Sequence, residues 1–201
     1  MTLFYVVQHA EKEQQPGDQG LTELGRSQAR RTAQWLSRRG LRTLVSSPLR
    51  RARETAQAIV AETGLELRVD ARLLERTNWE EGCSREEFMA DWAASVRDRD
   101  HTPRTGVSSR EAGARFRALL LDYASVPGPV AVTTHGGATV DLLRTLLGDE
   151  ALSPKLLHEG VPSCAVTTIE GLTVLDIAST EHLDPGGRPG GEAWRPVRRR
   201  P

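Results

Sequence analysis

The first apolar run, Leu3 to Val7, is almost uninterrupted and rich in β-formers. Such a run predicts a short strand covered on both faces, not a half-exposed one. It stops abruptly at Gln8 and His9, and charges follow at Glu11 and Lys12. The period then changes. In "LTELGRSQARRTAQWLSRRG" the apolar positions Leu24, Ala29, Ala33 and Leu36 recur at helical spacing. Thr22 can cap that helix and Gly40 can end it. "LRTLVSS" reads as a second strand, and Pro48 suits the first turn of the helix that follows, "PLRRARETAQAIVAETG". "ELRVD" is a short third strand. "PVAVTT" is another buried strand, leading through "HGG" into the helix "ATVDLLRTLLG". "AVTTIE" and "LTVLDIA" lie on either side of Gly171 and predict a hairpin.

Strands that alternate with helices predict an α/β fold, a mostly parallel sheet with helices on both faces. Residues 80–127 break the alternation. They are charged and partly helical, with Pro103 and Gly106 in the middle, and are expected to cap one end of the sheet as an insertion. From Asp184 the chain turns rich in Pro, Gly and Arg, which predicts a disordered tail over 184–201 behind a single domain, 1–183.

Composition narrows the function classes. A chain of 201 residues suits one domain with a real core, and its formal net charge of zero provides no general field for nucleic acid or membrane. Of 27 basic residues only Lys12 and Lys155 are lysines, so a bound anion would mostly meet guanidinium forks. Cys83 and Cys164 are far apart and fit no zinc spacing; free thiols in a reducing cytoplasm are expected. No signal-peptide pattern and no span of about 20 apolar residues is present, which again points to the cytoplasm. Oligomeric state is not legible in the sequence.

In open α/β sheets ligands bind outside the carboxyl ends of the strands. Three polar clusters fall there: Gln8-His9, Ser46-Ser47 with Arg50-Arg51, and His135-Gly136-Gly137. Arg51 would lie in the first turn of its helix, where free N–H groups also favour anions. Gly136 and Gly137 let backbone approach a ligand closely. Each residue alone has a plainer reading, a hydrogen-bonded histidine or a solvated arginine. Their shared placement is what suggests a phosphoryl site.

These residues resemble the histidine phosphatase superfamily, whose fold is that of the cofactor-dependent phosphoglycerate mutases. Gln8-His9-Ala10 stands where the family has Arg-His-Gly or Arg-His-Ala. Leu21, Thr22, Gly25, Gln28 and Ala29 match its "LTxxGxxQA", and Ser46 to Ala56 match "SSPLxRAxxTA". "LLERTNWEEG" puts Glu75 at the acid, and "THGG" puts His135 at the second histidine. The likeness runs over about residues 3–183 and implies a three-layer α/β/α sandwich.

The resemblance implies that His9 is the nucleophile, forming a phosphohistidine, and that Arg51 and His135 meet the charge on the phosphoryl oxygens. Glu75 would protonate the leaving alkoxide, with Glu80 and Glu81 as rivals. Gly136 and Gln8 would bind substrate. Gln15 falls near a family asparagine that touches phosphate. No metal and no cofactor is implied. The partner is a small phosphorylated molecule, with no nucleic acid and no membrane. A phosphatase is the leading reading. A phosphomutase, or a degenerate member that binds a phosphorylated ligand or does a modified reaction, is the alternative.

Gln8 is the departure, since its amide has two donors and no charge. A hydrogen bond with a charged partner is worth roughly 1.5–3 kcal/mol, against about 1 for a neutral one. A nearby cation (Lys12, Arg72 or Arg76) could fill the gap, the substrate could differ, or the site could have drifted. Trp79, Phe88, Met89 and Trp92 could wall a pocket, but their spacing favours a helix face packed on the core. Arg85, Arg97, Arg99 and Arg104 could meet further anionic groups of a substrate.

Overall fold

The computed structural model describes residues 1–184; the stretch 185–201, most of the tail expected to be disordered, lies outside the described residues. A six-stranded sheet runs in the order β3-β2-β4-β1-β5-β6. Its strands are β1 (Leu3–Gln8), β2 (Thr43–Ser46), β3 (Leu67–Val69), β4 (Val130–Thr134), β5 (Val166–Glu170) and β6 (Thr173–Ser179). β1, β2, β3 and β4 are parallel; β5 and β6 add an antiparallel hairpin across Gly171.

The helices are α1 (Glu23–Ser37), α2 (Arg50–Thr63), α3 (Arg85–Arg97), α4 (Ser109–Asp122), α5 (Gly136–Leu147) and α6 (Pro154–Glu159). Side chains alternate across a strand, so a strand covered on both faces feeds two cores. Phe4, Val6, Val130 and Val132 pack on Phe116, Leu119 and Leu120 of α4 and on Leu142 and Leu143 of α5. Val7, Ala131 and Leu44 point the other way, onto Ala33 and Leu36 of α1 and Ala56 and Ile59 of α2. The result is the three-layer α/β/α sandwich the alternation predicts.

Thr22 caps α1, accepting the Gly25 N–H at 2.9 Å. The buried face is Gly25, Ala29, Thr32, Ala33 and Leu36; Leu24, expected in that stripe, is 56% exposed. Gly25 takes its place because a Cβ there would overlap the Glu11 carbonyl. Pro48 lies before α2 and not in its first turn, since Leu49 is the N-cap. The 80–127 stretch divides. α4 is a layer helix of the sandwich, with Phe116 fully buried. α3 overhangs the carboxyl ends of β1 and β4 and contributes Phe88, Met89 and Trp92 to a cavity there.

Among the described residues no helix is long and apolar enough to cross a membrane. None of them form a cluster of three His, Cys, Asp or Glu side chains able to hold a metal ion.

Candidate active site

Strand register brings the two histidines together. Gln8 pairs with Thr134 across the parallel β1–β4 ladder, and the His9 N–H donates to the Thr134 carbonyl at 2.9 Å. His9 and His135 therefore leave neighbouring strands at one level, with ring centroids 5.4 Å apart. Ser46 pairs with Thr133 on β4's other side, so Ser47 arrives beside them.

His9 Nδ1–H donates to the Ala10 carbonyl at 2.8 Å, which assigns the tautomer and leaves the lone pair on Nε2. Gln8 Nε2 donates to that nitrogen at 3.3 Å. The reverse amide orientation would set oxygen against a lone pair. Gln8 Oε1 is left buried with no hydrogen-bond partner among the described residues. Burial, then the Arg51 charge, pulls the His9 pKa from 6.5 down to about 3, so the imidazole is neutral at pH 7.

His135 is fully buried behind the cavity floor, and burial again holds it well below the ordinary histidine range. Its Nε2 lies 2.7 Å from Ser47 Oγ, which also receives the Leu49 N–H at 3.4 Å. Either atom can donate in the Ser47–Nε2 contact, and His135 Nδ1 is buried with no hydrogen-bond partner among the described residues. That ring nitrogen is left unused close to His9.

Arg51, buried in the first turn of α2, donates to Gln19 Oε1 at 3.2 Å and to Asn78 Oδ1 at 3.1 Å. Glu75 is held by two backbone donors: Gly137 N–H to Oε2 at 3.0 Å and Arg76 N–H to Oε1 at 2.9 Å. A Cβ on Gly137 would come within 2.5 Å of Glu75 Oε1 and 2.6 Å of the Trp92 ring, so only glycine lets α5 begin this close to the carboxylate.

A cavity of about 490 Å³ opens over this floor. Gln8, His9, Lys12, Arg51, Glu75 and Gly136 line its polar end. Trp79, Phe88, Met89 and Trp92 form an apolar wall, so the cavity reading of these four holds and the core reading does not. They face the cavity because the core is already closed by α4 and α5, leaving α3 outside it.

The remaining expected residues lie elsewhere. Gln15 is exposed and does not line the cavity; only its carbonyl is engaged, by Gln19 Nε2. Gln19 takes the inner position instead, because the loop turns back there so that the Leu21 backbone meets Lys12. Glu80 and Glu81 are exposed and outside the cavity lining. Arg85, Arg97, Arg99 and Arg104 do not line it either: Arg104 pairs with Glu87 and Asp91, and Arg99 donates to Arg144 O and Thr145.

Gln19 and Asn78 were not singled out in the sequence, nor was the pairing of Arg76 with Asp141. Arg76 Nη1 meets Asp141 Oδ1 at 2.8 Å with both side chains fully buried, Ser109 Oγ donates to the same oxygen at 2.6 Å, and the guanidinium sits 3.8 Å from the centroid of the Trp92 ring. Asn78 lies 27 positions from Arg51 and Asp141 lies 65 from Arg76, so no local pattern announces either pairing.

Neutral buried histidines carry a stability cost in acid. The unfolded chain binds their protons below pH 6.5 while the folded chain refuses them until far lower. Each then takes away about 1.4 kcal/mol per pH unit. Asp141, lifted by burial to about 6, works the other way and offsets about 1 kcal/mol at pH 5. His182, lowered to about 4 mainly by burial, adds to the loss, so the folded protein has a net loss of stability between pH 7 and 5. Urea midpoints at the two pH values measure it, and an unchanged midpoint would contradict the buried neutral pair.

Residues 4–173 match the family described as histidine phosphatase superfamily (branch 1). Glucosyl-3-phosphoglycerate phosphatase of Mycobacterium tuberculosis is 37% identical over 147 residues, 65% of this chain and 65% of its own length. Probable phosphoglycerate mutase GpmB of Photorhabdus laumondii is 31% identical over 189 residues, 85% of each chain. Among solved structures, mycobacterial glucosyl-3-phosphoglycerate phosphatase with VO3 superposes at a TM-score of 0.69 and 29% identity, over 87% of this chain and 95% of that one. A phosphoserine phosphatase mutant of Entamoeba histolytica with phosphoserine gives 0.70 and 26%, over 92% and 100%. With its paired histidines on adjacent parallel strands and a match over most of its length, the chain belongs to the histidine phosphatase superfamily.

Proposed function

We propose that the protein is a metal-independent phosphatase that hydrolyses a small phosphorylated metabolite through a phosphohistidine at His9. The observation that carries this reading is the state of His9: neutral, with Nδ1–H tied to Ala10 and the Nε2 lone pair at the cavity floor. The lone pair forms the N–P bond as the P–O bond to the alcohol breaks. Arg51 and His135 meet the charge on the phosphoryl oxygens. Glu75, the carboxyl beside Gly137, gives the departing alkoxide a proton. Water then attacks the phosphohistidine, Glu75 takes the water's proton, and inorganic phosphate leaves.

The apolar wall of Trp79, Phe88 and Trp92 supports an organic alcohol as leaving group. The phosphatase names of the relatives support hydrolysis. The test is release of inorganic phosphate from p-nitrophenyl phosphate with a strong chelator present. Turnover undiminished by the chelator is expected. No release from folded protein, on this ester or on a panel of sugar and hydroxy-acid phosphates, would refute the reading.

A further inference from the structure

Gln8 brings no charge to the nucleophile, and three cations in the sequence could make up for it. Two of them are committed elsewhere. Arg72 is paired with Asp70 at 2.7 Å and Asp122 at 2.6 Å and does not line the cavity. Arg76 is fully buried against Asp141, outside the lining. Lys12 does line the cavity, with His9 and Arg51.

We infer that Lys12 is a phosphate-binding residue, forming with Arg51 the paired cations that hold the phosphoryl group over His9. This rests on the phosphatase reading of the same site. Three independent features support it. Lys12 Nζ has one protein partner, the Glu13 carbonyl at 3.3 Å, and no carboxylate within 4.0 Å among the described residues. Among the described residues Arg51 likewise hydrogen-bonds to neutral amide oxygens, those of Gln19 and Asn78, and the carboxylates Glu75, Asp18 and Glu80 act on it only through space. Two cations at one cavity floor with no ion pair to either repel each other, and a dianion relieves both. The Lys12 backbone is also held in place. Thr22 N–H donates to Glu11 O at 3.1 Å and Glu13 N–H to Gly20 O at 3.0 Å, so the segment pairs with the turn before α1. Lys12 also acts electrostatically on both His9 and His135, and burial with the Arg51 charge lowers its own pKa to about 8. An ammonium strained in this way gains most from an anion.

The experiment is binding of inorganic phosphate and of orthovanadate by calorimetry to the intact protein and to Lys12→Ala, Lys12→Arg and Lys12→Glu, with unfolding midpoints as a control for folding. Lys12→Ala is expected to weaken both anions about 10- to 100-fold, the worth of a charged hydrogen bond. Lys12→Arg should stay within a few-fold, and Lys12→Glu should lose binding. Equal phosphate affinity in native protein and Lys12→Ala would overturn the inference, as would failure of the native protein to bind either anion. If the native protein binds phosphate through Lys12 yet turns over no ester, the phosphatase reading fails and the Lys12 assignment stands.

Discussion

Alanine in place of His9 removes phosphate release, a fall on the order of 10,000-fold or more, while the protein stays folded at pH 7. The size follows from the role: with no nucleophile there is no covalent intermediate, and the arginine, the lysine and His135 can only hold the ester. The fold survives because the His9 side chain contributes a hydrogen bond to a neighbouring carbonyl, a long one from Gln8 and a ring contact, at the cavity floor and outside both main cores. The variant should also be less sensitive to acid, because one of the three histidines that burial holds neutral is gone. Initial rates on p-nitrophenyl phosphate, paired with urea midpoints at pH 7 and 5, check both halves. A variant retaining a tenth of native turnover would remove His9 from the mechanism.

Asp141→Ala is expected to cost about 3–5 kcal/mol of stability, the range found when one partner of a buried ion pair is taken away. Asp141 stands 2.8 Å from the Arg76 guanidinium with neither side chain exposed. Arg76 Nε and Nη2 already have no hydrogen-bond partner among the described residues, so the variant would bury an uncompensated charge. The effect reaches the site, because Arg76 backs the Trp92 ring that walls the cavity. A raised KM for aromatic esters should accompany the stability loss. Asp141→Asn keeps an acceptor for Arg76 and should lose less. Urea unfolding ranks the three proteins; equal midpoints would show that Arg76 finds another partner.

Much of this was legible beforehand. Continuous apolar runs at Leu3–Val7 and Val130–Val132 have to be strands covered on both faces, and both feed the two cores. The polar residues closing those strands could then only emerge at the carboxyl edge, which is why His9 and His135 could be placed together at that edge before any coordinates. What stayed hidden depends on the path of the chain between elements. Nothing local distinguishes Gln15 from Gln19; the Lys12–Leu21 pairing decides which one faces Arg51. The stripe of Phe88, Met89 and Trp92 has the spacing of a core helix. It lines a cavity because α4, from later in the same stretch, occupies the layer. Leu24 was misplaced for a similar reason, since the close approach of the Glu11 carbonyl reserves the buried position for Gly25.

The central claim is that phosphorus passes through His9. The direct measurement is to mix the protein with a labelled phosphate ester, quench in alkali within milliseconds, and locate the label by peptide mass spectrometry. A phosphoramidate survives base and is lost in acid. The account predicts phosphate on the peptide containing His9, absent in His9→Ala and lost on mild acidification. Steady turnover with no phosphorylated His9, or with label on another residue, would contradict it.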